Sequence, residues 1–320
     1  MTRLARFVRA DSGQALVFVI AILAVLLGIG ALVIDGGRWM QTQRQLQTAA
    51  DAAALAGVQT LPESTSSASS FASTYVQNNS AGASAAITFP TSPSPPCGVN
   101  SCIRVVASKT APGTLARIYG SVFDNVNVSA RAMAAVTVPA QMKNVAPIAV
   151  KNTIACQVSS CFGQTKTVSF DESNVSSSTI GLIDLTCYSS VSTGCPWNAG
   201  VGANELRNWI LNGYPDALPS GKWYGVKTGQ TIGPIKQALT DRIGVPLFFP
   251  VFDTVANSGP VYYFHIIGWA AFVIDRVDFW SPSQKQLTGR FVTFTTSDLP
   301  AGLPPDSTNN FGIRILSLVE

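Results

Sequence analysis

The sequence predicts an α+β protein in which a single N-terminal transmembrane helix continues into a long helix, followed by a small α/β layer and a β-rich, disulfide-stapled extracytoplasmic domain. Three observations predict it. Residues 15–34 form an unbroken apolar run. Helical spacing of small and apolar residues persists beyond that run to Gly57, then gives way to alternating β-branched stretches. All 6 cysteines fall in close pairs beyond the run. The divisions that follow are a tail at 1–14, a transmembrane helix at 15–34, a helical stalk at 35–60, a small α/β domain at 61–139 and a β-rich domain at 140–320.

The tail carries Arg3, Arg6 and Arg9. An α-helix rises about 1.5 Å per residue, so the run at 15–34 matches a hydrocarbon core of about 30 Å. A cleaved secretory signal is the competing reading, but its apolar region normally covers only about 7–15 residues. The candidate cleavage tripeptide Ala54-Leu55-Ala56 lies far past the run. Three arginines and the amino terminus precede the span, against Arg38 and Arg44 after it. The positive-inside rule therefore places the N-terminus inside and the C-terminal body outside, as a single-pass protein of the cytoplasmic membrane whose first partner is membrane lipid.

Net charge is +4, half of it supplied by the tail up to Asp11. No basic surface is left for nucleic acid. Charged residues make up only 12% of the chain, a balance that suits an extracytoplasmic or assembled surface better than a cytosolic enzyme.

In the stalk, Trp39, Gln43, Leu46, Ala50, Ala53 and Gly57 recur at alternating spacings of four and three, which places them on one stripe. Small residues let backbones approach closely, so the stripe suits packing against another helix or sheet. Both a partner helix and the chain's own domain satisfy that pattern. Gly36-Gly37 predicts a bend, since glycine in a helix interior costs roughly 1 kcal/mol.

These residues carry a resemblance. Ser12-Gly13-Gln14-Ala15-Leu16-Val17, Ile34-Asp35-Gly36-Gly37-Arg38 and Leu46-Gln47-Thr48-Ala49-Ala50-Asp51-Ala52-Ala53-Ala54-Leu55-Ala56-Gly57 resemble the amino-terminal module of TadE/TadG-like proteins of bacterial tight-adherence (Tad, Flp) pilus assembly. The likeness extends to Tyr75-Val76-Gln77-Asn78-Asn79, where such proteins have a second short helix, and to a helix-then-strand ending at 115–120 and 126–132. Prepilin-type processing cuts after a glycine and prefers glutamate five residues on. Counted from Gly13 that position holds Phe18, so the resemblance implies a stably anchored form closer to TadG. It also implies pilus-machine partners, pilins and pseudopilins, and a packing role toward a partner helix for Trp39, Leu46, Ala50, Ala53 and Gly57.

Segment 61–96 is rich in Ser, Thr, Ala and Pro and ends in Thr91-Ser92-Pro93-Ser94-Pro95-Pro96, which reads as an extended spacer. Beyond it, 103–107 reads as a strand, 113–119 as a short helix and 126–138 as a long strand. With the stalk helix they make a small layer of pilin-like organisation. From 141 onward, strands are expected at 167–170, 179–185, 245–253, 261–267, 271–279, 290–295 and 313–319, with Asn257-Ser258-Gly259 as a hairpin tip. Two helices interrupt them: one at 205–212 capped by Asn204, and one bracketed by Pro234 and Gly244 with Ile235, Leu239 and Ile243 on one face. The run 261–274 is too short for a membrane helix and reads as buried strand.

Proximity pairs the cysteines as Cys97/Cys102, Cys156/Cys161 and Cys187/Cys195. An even count confined to the exported part reads as disulfides. Zinc is the alternative, although the spacing is wide and the sole histidine is His265.

Constellations for catalysis are sparse. Flanked by Phe264 and Ile266, His265 reads as structural. No phosphate loop, dinucleotide fingerprint or zinc-protease motif occurs. Asp171-Glu172-Ser173-Asn174-Val175 is similar to the Asp-x-Ser-x-Ser metal site of von Willebrand A-type domains, but Val175 replaces a ligating hydroxyl. The acid pairs Asp171/Glu172 and Asp275/Asp278 read as strand-end residues meeting solvent. The expectation is a non-enzymatic Tad/Flp component without cofactor, metal or small-molecule substrate. The alternative is an anchored adhesin or cell-wall binder that uses the Tad segment as its anchor.

Overall fold

The computed structural model describes residues 12–319 apart from 92–96, 158, 172–173, 197–199, 228–232, 282–283, 297 and 307. The arginine tail and most of the Pro-rich stretch at 91–96 thus lie outside the described residues.

One helix, α1 (Ser12–Val58), takes up the first 47 described residues and is about 70 Å long at 1.5 Å per residue. It continues through Gly36-Gly37 as helix, so the glycine pair does not end it. Its two halves differ in what covers them. Every large apolar side chain from Leu16 to Leu27 is more than half exposed. From Gly28 onward one side is covered, and Leu46, Ala49, Ala50, Ala53, Ala54 and Val58 are fully buried.

The next helix, α2 (Thr65–Asn79), contains the short helix that the resemblance implied at Tyr75–Asn79, but its first ten residues fall where composition read as extended spacer. The correction has a simple cause. Ala68, Ala72 and Val76, spaced by four, form a buried stripe that the Ser/Thr-rich composition conceals. Ser64 caps the helix, its Oγ accepting from the Ser67 N–H at 3.1 Å.

The chain then gives β1 (Ser84–Thr88), β2 (Cys102–Pro112), β3 (Asn125–Thr137), β4 (Gln141–Met142), β5 (Ile148–Lys151), β6 (Thr165–Asp171), β7 (Ile180–Ile183), α3 (Ala203–Asn212), β8 (Leu218–Pro219), β9 (Lys222–Lys227) and α4 (Gly233–Asp241). It ends with β10 (Pro246–Ser258), β11 (Val261–Trp280), β12 (Gln284–Val292), β13 (Phe294–Thr296) and β14 (Ile313–Leu318).

The first sheet has the order β1-β2-β3-β14-β13. Its centre is the long antiparallel pair β2/β3, in register from Cys102↔Ala135 to Pro112↔Asn125. Ile103, Val105 and Ala107 of β2 and Ala130, Ala132, Ala134 and Val136 of β3 meet α1 and α2 in one core. Strands β13 and β14 come from beyond residue 140, with Ile315 opposite Thr137, so the sheets do not divide along the chain at 139/140.

The second sheet runs β10-β5-β7-β9-β11-β12-β6, and β10 also pairs with β11, which closes β5, β7, β9, β10 and β11 into a ring. Aromatic side chains fill it. Phe252 stacks on Phe264 at 3.9 Å, and Phe272 meets Phe249 and Phe291 at 5.3 and 4.9 Å. The strands expected at 261–267 and 271–279 are one strand, β11, joined to β10 by a turn in which Gly259 takes φ +60°. The strand expected at 290–295 divides between β12 and β13. Strands β1, β4, β5, β8 and β9 were not expected; β4, β5 and β8 are too short for any period to show.

At α3 the cap is Gly202 and not Asn204, and the Gly202 N–H donates to Glu205 Oε2 at 3.0 Å. Ile243 lies past α4 and is exposed, whereas Ile235 and Leu239 are buried as expected. All three cysteine pairs are disulfides, with Cα separations of 5.5 Å for Cys97–Cys102, 5.5 Å for Cys156–Cys161 and 5.8 Å for Cys187–Cys195. That removes the zinc alternative.

Candidate functional site

The most constrained polar group on α1 is Asp35, the first residue after the apolar run. It is fully buried. The segment between β2 and β3 folds back over it. Gly113 N–H donates to the Asp124 carbonyl at 3.1 Å, closing the segment, and two short 3-10 turns form at Ala116–Tyr119 and Ser121–Phe123. A side chain at Gly113 would overlap the Phe123 carbonyl, so glycine is needed for this closure.

The carboxylate accepts three hydrogen bonds from that segment. They come from Thr114 Oγ1 at 2.7 Å, Leu115 N at 2.7 Å and Ala116 N at 2.6 Å. Arg38 Nη1, one turn further along α1, donates to Thr114 Oγ1 at 2.7 Å. A charged acceptor facing the free N–H groups that open a helical turn is a strong arrangement. These bonds, led by that from the Ala116 N–H and then the Thr114 hydroxyl, hold the Asp35 carboxyl at about 2 against the opposing effect of burial. Trp39 stacks on Phe123 above the clasp, at 6.3 Å with planes 9° apart, and the Tyr119 ring lies against Gly28 below it.

Asp35 belongs to the Ile34–Arg38 motif, but the motif alone does not mark it as a site. A lone carboxylate directly after an apolar run was the available signal, because such a group must find donors or water. Its partners lie some eighty positions away and left no local pattern.

The stripe assigned to a partner helix is placed differently. Leu46, Ala50 and Ala53 are buried in the core shared with β2, β3 and α2. Gly57 is where α1, α2 and β2 meet: a Cβ there would lie 2.5 Å from Ile103 Cδ1 and 3.0 Å from the Ala68 carbonyl. Trp39 is half-buried against Phe123. The close approach expected of small residues is present, and from Leu46 to Gly57 the chain's own sheet and second helix occupy it, while Gln43 at the other end of the stripe is exposed. The disulfides Cys97–Cys102, Cys156–Cys161 and Cys187–Cys195 are local staples.

The polar residues weighed for catalysis are held within the sheet. His265 Nδ1 lies 2.9 Å from Asp253 Oδ1, with Trp223 against the ring at 5.0 Å. Asp275 is exposed as expected and pairs with Arg290 of β12, whereas Asp278 is half-buried between Arg276 of its own strand and Thr288 of β12. Ser178 Oγ accepts from the Asp171 N–H at 2.8 Å; Glu172 and Ser173 lie outside the described residues. Among the described residues no three His, Cys, Asp or Glu side chains gather as metal ligands. A cavity of about 310 Å³ lies between the sheets, lined by Val138, Ile267, Trp269 and Leu303 among others.

These features define a class of protein: a mixed α+β body built on the distal half of a helix whose proximal half is long and apolar enough to cross a membrane. Residues 13–60 match the family described as putative Flp pilus-assembly TadE/G-like, so the chain carries a TadE/G-like N-terminal domain. No curated protein and no solved structure gives a significant match.

Proposed function

We propose that the chain is a non-enzymatic, TadG-like component of a bacterial Tad/Flp pilus assembly or secretion system, anchored in the cytoplasmic membrane with its body outside. The observation that carries this reading is α1 itself. One continuous helix holds the TadE/G-like match, the lipid-length apolar half and the core stripe of the body. A protein so built transmits its membrane position directly to its folded part.

Retention of the anchor has structural support. Ala54 and Ala56, the small residues of the candidate cleavage tripeptide, are buried on α1, and a cut after them would remove Leu46, Ala50 and Ala53 from the core they share with β2, β3 and α2. Removing the segment before them would strip the sheet of its covering helix.

Deletion of the gene in its native host tests the function. Loss of Flp pili, restored by the wild-type chain, is the expected result. Normal piliation with loss of surface attachment would replace the reading with an anchored adhesin.

A further inference from the structure

We propose that residues 115–122 form a lipid-embedded wedge lying in the boundary between headgroups and acyl chains, on the side of the membrane from which α1 emerges. The proposal rests on the anchor reading above and adds a second point of membrane contact. Its ground is where the segment lies along α1. Asp35 holds Thr114, Leu115 and Ala116 at the end of the apolar run, and from there the chain runs back toward the apolar half. Tyr119 reaches Gly28, seven residues earlier, which is about 10 Å down the helix axis. A helix spanning with residues 15–34 carries its Gly28 inside the bilayer, and the segment packed on it must share that depth.

The surface of the segment fits lipid. Leu115, Ile118, Tyr119 and Val122 are 44%, 71%, 50% and 81% exposed, a dense apolar patch next to a helix whose own exposed face is apolar. Its backbone is also prepared. Within it the N–H groups of Leu115 and Ala116 are taken by Asp35, and those of Ile118 and Gly120 by the carbonyls of Leu115 and Arg117, which lowers the cost of leaving water. The donors without such a bond sit at the headgroup level, where water and phosphate can accept from them. Arg117 is exposed on the same segment, and its long stem can carry the guanidinium up to lipid phosphates. Lipid, not a partner helix, is therefore the occupant: the patch is continuous with the lipid-facing side of α1 and carries a cation at headgroup height.

The test uses the full chain reconstituted in phosphatidylcholine/phosphatidylglycerol vesicles, with the photoreactive residue p-benzoylphenylalanine at Ile118 or, separately, Val122. Leu26 in the apolar half serves as the buried-in-lipid control. Val99 serves as the control remote from lipid, since it precedes β2, whose eleven residues run about 35 Å away from the clasp. After irradiation, lipid adducts are quantified by mass spectrometry. Adduct yields at 118 and 122 comparable with Leu26 and roughly tenfold above Val99 are expected for a wedge at this depth. Adducts at Leu26 but not at 118 or 122 would overturn the wedge while leaving the anchor intact, as would crosslinks from 118 or 122 to a second copy of the chain in place of lipid. Absence of adducts at Leu26 as well would reject the anchor, and the wedge with it.

Discussion

Replacing Asp35 by asparagine keeps the size of the side chain but removes the charge on which three donors converge. The Thr114 hydroxyl and the Leu115 and Ala116 N–H groups then face a weaker acceptor with an amide donor of its own. We expect Asp35→Asn to loosen segment 113–124 while the body stays folded. Faster trypsin cleavage after the exposed Arg117, with the remaining digestion pattern unchanged, would show it. The same group gives a pH dependence. Its carboxyl falls from the ordinary value of about 3.9 to about 2 on folding. A lowered folded value means that the stabilisation is fully present above pH 4 and is lost as pH falls toward 2. Protection of Leu115, Tyr119 and Phe123 against pepsin, which is active in acid and cuts beside such residues, should decline over that window in the wild type and be flat in Asp35→Asn. At the far end of α1, Ala50→Leu and Gly57→Leu enlarge positions that are already filled by the chain itself. Each should cost about 1–3 kcal/mol by overpacking, read as a lower urea midpoint. Unchanged stability combined with defective piliation would show instead that this stripe faces a partner.

Among the elements, β14 has the greatest leverage for its length. It crosses from the end of the chain to β3, and its Arg314 reaches the α1–α2 turn, where Nη1 donates to the Leu61 carbonyl at 3.1 Å and to Glu63 Oε2 at 3.0 Å while Nη2 pairs with Glu63 Oε1. Arg314 is nearly buried, so Glu63→Ala would leave Nη1 and Nη2 with one acceptor fewer each. We expect a loss of about 2 kcal/mol in chemical denaturation. A change within a few tenths of that for a surface charge would mean that water replaces Glu63. The elements also show what the sequence could and could not disclose. The apolar run, the stalk stripe and the three cysteine pairs are written in local spacing, and their elements and bridges are found where spacing put them. Most of helix α2 was hidden from spacing because its core face is only Ala68, Ala72 and Val76 against a serine background, and the resemblance implied only its end at 75–79. The return of β14 to the first sheet leaves no periodic trace, because strand partners far apart in sequence are chosen by the fold as a whole.

At the scale of the whole molecule, one half of α1 is an exposed apolar helix long enough to cross a membrane and the other half is a core helix, and the Asp35 clasp marks the change between them. The TadE/G-like match at 13–60 follows that helix and ends before α2, so the body beyond it was legible through physical patterning and the short likenesses at 75–79, 115–120 and 126–132. Its candidate site was legible in part. The motif containing Asp35 was visible, but that its carboxylate is buried under a segment eighty residues away required the fold. If α1 is retained as described, the native protein should resist alkaline carbonate extraction and carry residues 15–58 as part of the mature chain. An intact-mass measurement on the protein from carbonate-washed membranes decides this most directly. A mass that includes the whole of 15–58 is the predicted result, and a soluble chain beginning after Ala56 would contradict it.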